Sequence, residues 1–540
     1  MRTLSTLLVV SLCVLRAVPA RADTYPRQPG IDALHYIFKL RVSDRSNTVD
    51  GEMTGAFHVL AGTVKELFLD LSSAVDGKGG MTVSAVKVQG AAVAFHHESN
   101  RLRIPVSVPG GSDIAVTVSY SGIPLAGLKF VQNIHGEWSA FSENWPDNAR
   151  HWLPTIDHPY DKATGEFLVD APARYQVVAN GVLISEVDLP DDERRTHWRQ
   201  SVPIASWLYA LGIARFAVHH GGVVRGIPQQ VWAFPRDSAQ ALNLFGLTGP
   251  KAFEYFSDAI GAYPYEKLAH VEAAGVSGGM EQASAIFYGE KGVTQGRGPV
   301  VHEVAHQWWG NAVTEKDWDE VWLSEGFATY FAHLYTEQFS GPDAFVGGLK
   351  NDVNVILEAQ RAAPDQPVIH RNLDDMKRVL NRLVYQKAGW VLHMLRGIVG
   401  TDKFWQGVRE YYRRYRNLNA STDDFRQVMQ QVSGMELGWF FDQWLKRPGL
   451  PTLVGTWVYD GTARRIDLQL QQVQAGPAYR LPLEIGIATS DGEISVQRVE
   501  LSTVDGHFRI ISEKEPTALS IDPHTWTLLE SASVTRRSRQ

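Results

Sequence analysis

The sequence predicts an α+β protein built from several domains, and three observations carry that expectation. Apolar and polar residues alternate from about Ile31 to Val218, the spacing turns helical from about Val223, and alternation returns after Pro451. A chain of 540 residues has room for about three or four compact domains. Its 44% hydrophobic and 21% charged residues are the mix of a folded globular protein and exclude a disordered or collagen-like chain.

The elements follow in chain order. Arg2, the apolar run over residues 7–15 and Ala20-Arg21-Ala22 read as an export leader, residues 1–22, with a mature chain beginning at Asp23. The run is too short to span a bilayer and no later stretch reaches 18 apolar residues, so no integral membrane segment is expected in the mature chain. The expected location is periplasmic or secreted. Cys13, the single cysteine, lies inside the leader, which leaves the mature chain without disulfides, thiolate ligands or a cysteine nucleophile.

Residues 23–222 are expected to form the first domain. Tyr36, Phe38, Leu40 and Val42 alternate with Lys39 and Arg41, and Leu67, Leu69 and Leu71 flank Asp70, the period of half-buried antiparallel strands. Residues 223–449 are expected to be mainly helical. Phe404, Val408, Tyr411, Tyr412 and Tyr415 share one helical face, and Ser421 with Thr422 can cap the next helix. Pro448-Gly449-Leu450-Pro451 breaks the pattern. Leu481, Leu483, Ile485 and Ile487, a turn at Asp491-Gly492, then Ile494 and Val496 mark a small β domain over 450–530. Residues 531–540, with Arg536, Arg537 and Arg539, read as a frayed tail.

A net charge of −7, more negative once the arginines of the leader are removed, excludes a general nucleic-acid binder. The oligomeric state stays open.

The chemistry is concentrated in VHEVAHQWWGN. On a helix His302 and His306, at i and i+4, point the same way one turn apart and can grip one metal ion. Glu303 follows the first of them, where its carboxylate can take a proton from a water at that ion. In LSEGFATYF, Glu325 lies nineteen positions after His306 at the start of a second amphipathic helix. Two imidazoles and a carboxylate are a donor set that zinc accepts, with a fourth position left open, the pattern of a catalytic ion. The plain alternative is a pair of satisfied core histidines and a helix-start carboxylate. The doublets His96-His97 and His219-His220 have no facing acid at ligand spacing and read as strand residues.

The chain resembles the M1 family of gluzincin aminopeptidases. The segments that carry the likeness are HWLPTIDHPYDKATGEF, GGMEQ, HEVAHQWWGNAVTEKDWDEVWLSEGFATY, YQKAGWVLHML and FFDQWLKRPGLP. The resemblance implies an N-terminal β saddle, a thermolysin-like catalytic domain, a small C-terminal β sandwich and one Zn2+ per chain. It implies peptide substrates with a free N-terminus, Glu281 as the residue that binds their α-ammonium, and Tyr385 as the donor to the developing oxyanion. An unpaired buried ammonium costs several kcal/mol, so a carboxylate fixed beside the metal selects chain ends. Gly278 and Gly279 would let the substrate backbone approach Met280 and Glu281 closely.

Two departures concern substrate handling. Gln282 stands where the family has asparagine, and Glu143, in FSENWPDNAR, stands where many members have glutamine and is expected to assist with the ammonium. Only about ninety residues follow Pro451, so the large helical domain of many members is expected to be missing and the cleft more open. An endopeptidase or epoxide hydrolase on the same site, and a catalytically dead scaffold, are the competing readings. Retention of Glu303 with Tyr385 speaks against the scaffold.

Overall fold

The computed structural model describes residues 23–370, 373 and 376–537. The leader, with Cys13, lies outside the described residues. Among them no helix is long and apolar enough to cross a membrane.

Alternation in the N-terminal domain becomes an eight-stranded sheet. Its order is Val182–Leu189, Glu193–Ala205, Lys162–Pro172, Ile31–Val42, Val49–Val59, Asp113–Ile123, Gly80–Val88 and Ala91–Ala92. Tyr36, Phe38, Leu40 and Val42 are buried on one face while Lys39 and Arg41 face solvent. Ile31–Val42 runs parallel to Lys162–Pro172 with Phe38 opposite Phe167, and those two rings pack 5.1 Å apart under Tyr209. A second sheet of four strands contains the hairpin Gly127–Gln132 and Trp138–Glu143, whose second strand meets the middle domain where the Ser142 carbonyl accepts from Gln282 Nε2.

The middle domain is not helical from its start. Strands Ala217–Val224, Ile227–Ala233, Leu268–Ala273, Ala285–Gly289 and Gly279–Met280 form a five-stranded sheet, the last of them an antiparallel edge. The break expected at residue 222 falls inside the first of these strands. The reason is burial: every residue of Leu268–Ala273 and Ala285–Gly289 is covered. A strand buried on both faces shows a continuous apolar run and no alternation. Helices α1 (Ser238–Ala259), α2 (Val300–His306), α3 (Trp322–Ser340) and α4 (Ala388–Val399) then pack on the sheet and on one another.

Beyond Pro451 two small sheets of four and three strands bury Leu453, Trp457, Ile466, Leu468 and Leu470 together with Leu481, Leu483, Ile485 and Ile487. The tail expected at 531–540 is corrected over its first part. Ser531–Arg536 is a strand that runs parallel to Thr452–Trp457 within Thr452–Asp460. Its side chains are mostly exposed, so the backbone ladder, invisible to a hydrophobic pattern, orders it.

Candidate metal centre and active site

Helix α2 begins after Pro299 and places His302 and His306 one turn apart. Their Nε2 atoms stand 3.0 Å apart, and Glu325 Oε2, from the first turn of α3, lies 3.3 Å and 3.2 Å from them. A tetrahedral ion with ligands at about 2.0–2.1 Å would hold its donor atoms about 3.3 Å apart, so the triangle has the size zinc requires. Each position is braced. His306 Nδ1 lies 3.1 Å from the Trp309 carbonyl and 3.1 Å from Ser324 Oγ, so the carbonyl accepts the Nδ1 proton and Nε2 keeps its lone pair for a metal. Ser324 reaches that far because Gly310, at φ +94, has no side chain: a Cβ there would sit 2.0 Å from Ser324 Oγ. Helix α3 is fully buried from Trp322 to Phe331, and Trp322 Nε1 donates to Thr422 Oγ1 at 2.8 Å.

The electrostatics call for a cation. Glu281, Glu303, Glu315 and Glu325 are all buried around the two histidines. Burial pushes the Glu281 carboxyl up to about 7 and that of Glu315 up to about 8, and Glu303 is driven well above its usual range by burial reinforced by Glu281 and Glu325. Oε2 of Glu303 and Oε2 of Glu325 have no hydrogen-bond partner among the described residues. Buried carboxylates without donors are costly, and a divalent ion at the His302, His306 and Glu325 triangle offsets that cost. The donor set therefore fits zinc. These three are the metal-capable group found among the described residues.

Of the remaining expected site residues, Gly279, Glu281 and Tyr385 stand against the triangle and Glu303. Gly279 and Met280 form the edge strand opposite Tyr288 and Phe287. A Cβ on Gly279 would stand 2.2 Å from Glu303 Oε1, so the absence of a side chain is what admits the Glu303 carboxylate. Gly278 adopts φ +74, a left-handed conformation natural to glycine. Glu281 follows directly, and its backbone carbonyl accepts from Gln307 Nε2 at 3.0 Å and Asn311 Nδ2 at 2.7 Å. Tyr385 lies in a single wide helical turn, Leu383–Lys387, that leads into α4, a feature common at functional sites. Its ring stacks on that of His302 with centroids 6.2 Å apart. Burial and the Glu325 carboxylate push its hydroxyl far above the ordinary tyrosine range, so it stays a proton donor.

Glu143 is carried by the hairpin of the N-terminal domain. It ends the strand Trp138–Glu143 with 28% of its side chain exposed and is ion-paired with Lys129. The histidine doublets stay outside the site, His97 on the Leu71 carbonyl and His219 on Ser238. Sequence reasoning missed Gln307, Asn311 and Ser324. Polar residues in an apolar helical stretch beside the metal motif were the available signal.

Fold and donor set define the class: a mononuclear centre of the thermolysin-like metallopeptidase type. The chain matches the description Peptidase M1 N-terminal domain over residues 32–208 and Peptidase family M1 domain over residues 248–444. The chain belongs to the M1 peptidase family, and His302, His306 and Glu325, the group that could hold a metal ion, lie within the matched catalytic domain. It is 27% identical over 342 residues to aminopeptidase A of Gloydius brevicauda, covering 60% of this chain and 35% of that protein. To glutamyl aminopeptidase of Bos taurus it is 28% identical over 339 residues, covering 58% and 34%. The chain thus spans about a third of the length of these relatives. In fold it superposes on Legionella pneumophila aminopeptidase A in complex with aspartic acid with a TM-score of 0.81 at 16% identity, over 95% of this chain and 60% of that one. The M1 zinc metallopeptidase of Deinococcus radiodurans gives a TM-score of 0.66 at 22% identity over 78% and 95% of the two chains.

Proposed function

We propose that the protein is an exported zinc aminopeptidase that hydrolyses the first peptide bond of peptides with a free N-terminus. One observation carries this reading: the Glu281 carboxylate is buried beside the metal triangle, and its main chain is tied to Gln307 and Asn311, one and five positions after His306. The stretch that carries His306 therefore also holds the main chain of Glu281.

His302, His306 and Glu325 would hold the ion, and zinc supplies Lewis acidity to the scissile carbonyl and to the attacking water. The chain's own residues do the rest. Glu303 accepts a proton from the attacking water at its carboxylate and returns it to the departing amine nitrogen. The Tyr385 hydroxyl donates to the carbonyl oxygen as negative charge builds there, a contribution commonly of about 3 kcal/mol. Glu281 accepts hydrogen bonds from the substrate ammonium and penalises a blocked or internal amide. The edge strand Gly279–Met280 offers main-chain groups to an extended peptide.

The test compares a peptide with its N-acetylated form, alongside metal analysis of the purified chain. Cleavage confined to the free peptide with one zinc per chain is expected. Equal rates on both peptides, or an active protein without stoichiometric metal, would overturn the proposal. Export is tested by sequencing the N-terminus of protein recovered from the periplasm or medium, with Asp23 expected first.

A further inference from the structure

The segment from Gly275 to Gln282, which carries Gly278, Gly279, Met280 and Glu281, is gripped at both ends by the N-terminal domain. At its start Lys129 Nζ donates to the Gly275 carbonyl at 2.9 Å and is ion-paired with Glu143. At its end Gln282 Nε2 donates to the Ser142 carbonyl at 3.0 Å. Lys129, Ser142 and Glu143 belong to one hairpin, in which Lys129 pairs with Phe141 and Ser142 with Leu128. Gln282 is completely buried, so its bond is shielded from water. Between the two grips the segment is held by the two-residue edge strand, by the Gly289 amide, which donates to the Gly278 carbonyl at 2.9 Å, and by the bonds to the Glu281 carbonyl. An asparagine at position 282 would fall short of the Ser142 carbonyl by about 1.5 Å, one carbon–carbon bond.

We propose that Lys129 and Gln282 are positioning residues that set where the Glu281 carboxylate stands relative to the metal ligands, so that recognition of the substrate N-terminus belongs to two domains jointly. Glu143 is then the counter-ion that holds Lys129, in place of a direct contact to the ammonium. The inference rests on the aminopeptidase reading and adds to it the residues that tune its selectivity. A free ammonium needs its acceptor correctly placed within a few tenths of an ångström, whereas the hydrolytic step depends on Glu303 and Tyr385, which these bonds do not touch.

The test uses the full zinc-loaded enzyme with Gln282→Met, which keeps length and removes the donor, Gln282→Asn, which keeps the amide and shortens it, and Lys129→Met. Steady-state kinetics on an aminoacyl fluorogenic substrate should give a KM raised about tenfold in Gln282→Met and Gln282→Asn with kcat within about twofold of wild type. Zinc content should stay at one per chain. Glu143→Gln added to Lys129→Met should cause no further loss, because both remove the same grip. An unchanged KM in the two Gln282 variants would overturn the proposal, as would a parallel fall of kcat, zinc content and melting temperature, the mark of a bond that only supports folding. Multiplicative losses in the Lys129 and Glu143 pair would return Glu143 to the substrate. If the wild-type enzyme cleaves acetylated peptide equally well, the aminopeptidase reading fails on its own, before any variant is measured.

Discussion

The catalytic centre and the C-terminal β domain treat their polar groups in opposite ways. Around His302 and His306, buried carboxylate oxygens of Glu303, Glu315 and Glu325 lack hydrogen-bond donors among the described residues. In the C-terminal domain many charges stand at the surface in pairs, such as Arg480 with Glu500 and Lys514 with Asp491 and Glu493, and the buried Glu484 is paired with Arg498 and His524. Exposed pairs of that kind contribute little stability, so that domain rests on its core. The centre is completed only by what it binds. At the centre the unsatisfied buried carboxylates link ligand binding to stability, because an ion that binds them stabilises the folded chain.

Variants can break this contrast, and the largest effect is expected at Glu303. Glu303→Gln should lower kcat by about 10²–10⁴-fold while metal analysis still finds one zinc, since the three ligands are untouched. Loss of zinc in this variant would show that Glu303 belongs to the donor set. In the supporting domain Leu483→Ala should cost about 2–5 kcal/mol in denaturant unfolding and leave kcat/KM of the folded fraction unchanged. A matching loss of activity would show that the two regions are coupled. Gly279→Ala should reduce kcat about 10²-fold with little change in melting temperature, because the new methyl displaces the Glu303 carboxylate it would otherwise meet at 2.2 Å.

The smallest effect sharpens the contrast through pH. His270 lies in the catalytic sheet, stacked on Phe245 and bonded to Tyr288, and burial pushes its pKa down to about 3. Its neutral form stabilises the fold fully above about 6.5, and that contribution is lost as the pH falls towards 3, about 2 kcal/mol of it by pH 5. Asp522 in the C-terminal domain is pushed up to about 6 by burial, so its contribution is full below about 3.8 and is lost as the pH rises through 6. Hydrogen exchange resolved by region should therefore show the catalytic sheet loosening on acidification from pH 7 to 5 while the Asp522 turn tightens. Changes of the same sign in both regions would contradict these assignments.

Much of the centre was legible because its geometry is local. An i, i+4 spacing puts His302 and His306 on one helix face whatever surrounds the helix, and Glu303 follows from the same turn. Glu325 followed from its place at the start of a second amphipathic helix and from the donor set it completes, whereas Tyr385 and Glu281 became legible through motif resemblance, since nothing in their local pattern distinguishes them from core or loop residues. The central strands Leu268–Ala273 and Ala285–Gly289 before α2 were hidden because strands covered on both faces lose their period. Ser531–Arg536 was hidden for the opposite reason, because it buries almost no side chain and is ordered by backbone pairing.

By itself the sequence determined the periodicities that make strands and helices, the donor types of the metal site and the glycines where close approach is needed. Each of these depends on residues a few positions apart. Tertiary structure decided the rest: that Glu325 Oε2 meets both imidazoles, that Ser324 braces His306, and that Lys129 is shared between Glu143 and the carbonyl of Gly275, 146 residues away. Those distances arise from strand register and helix packing between distant parts of the chain. The free energy that sets them is spread over many buried contacts, and no single stretch of residues encodes it.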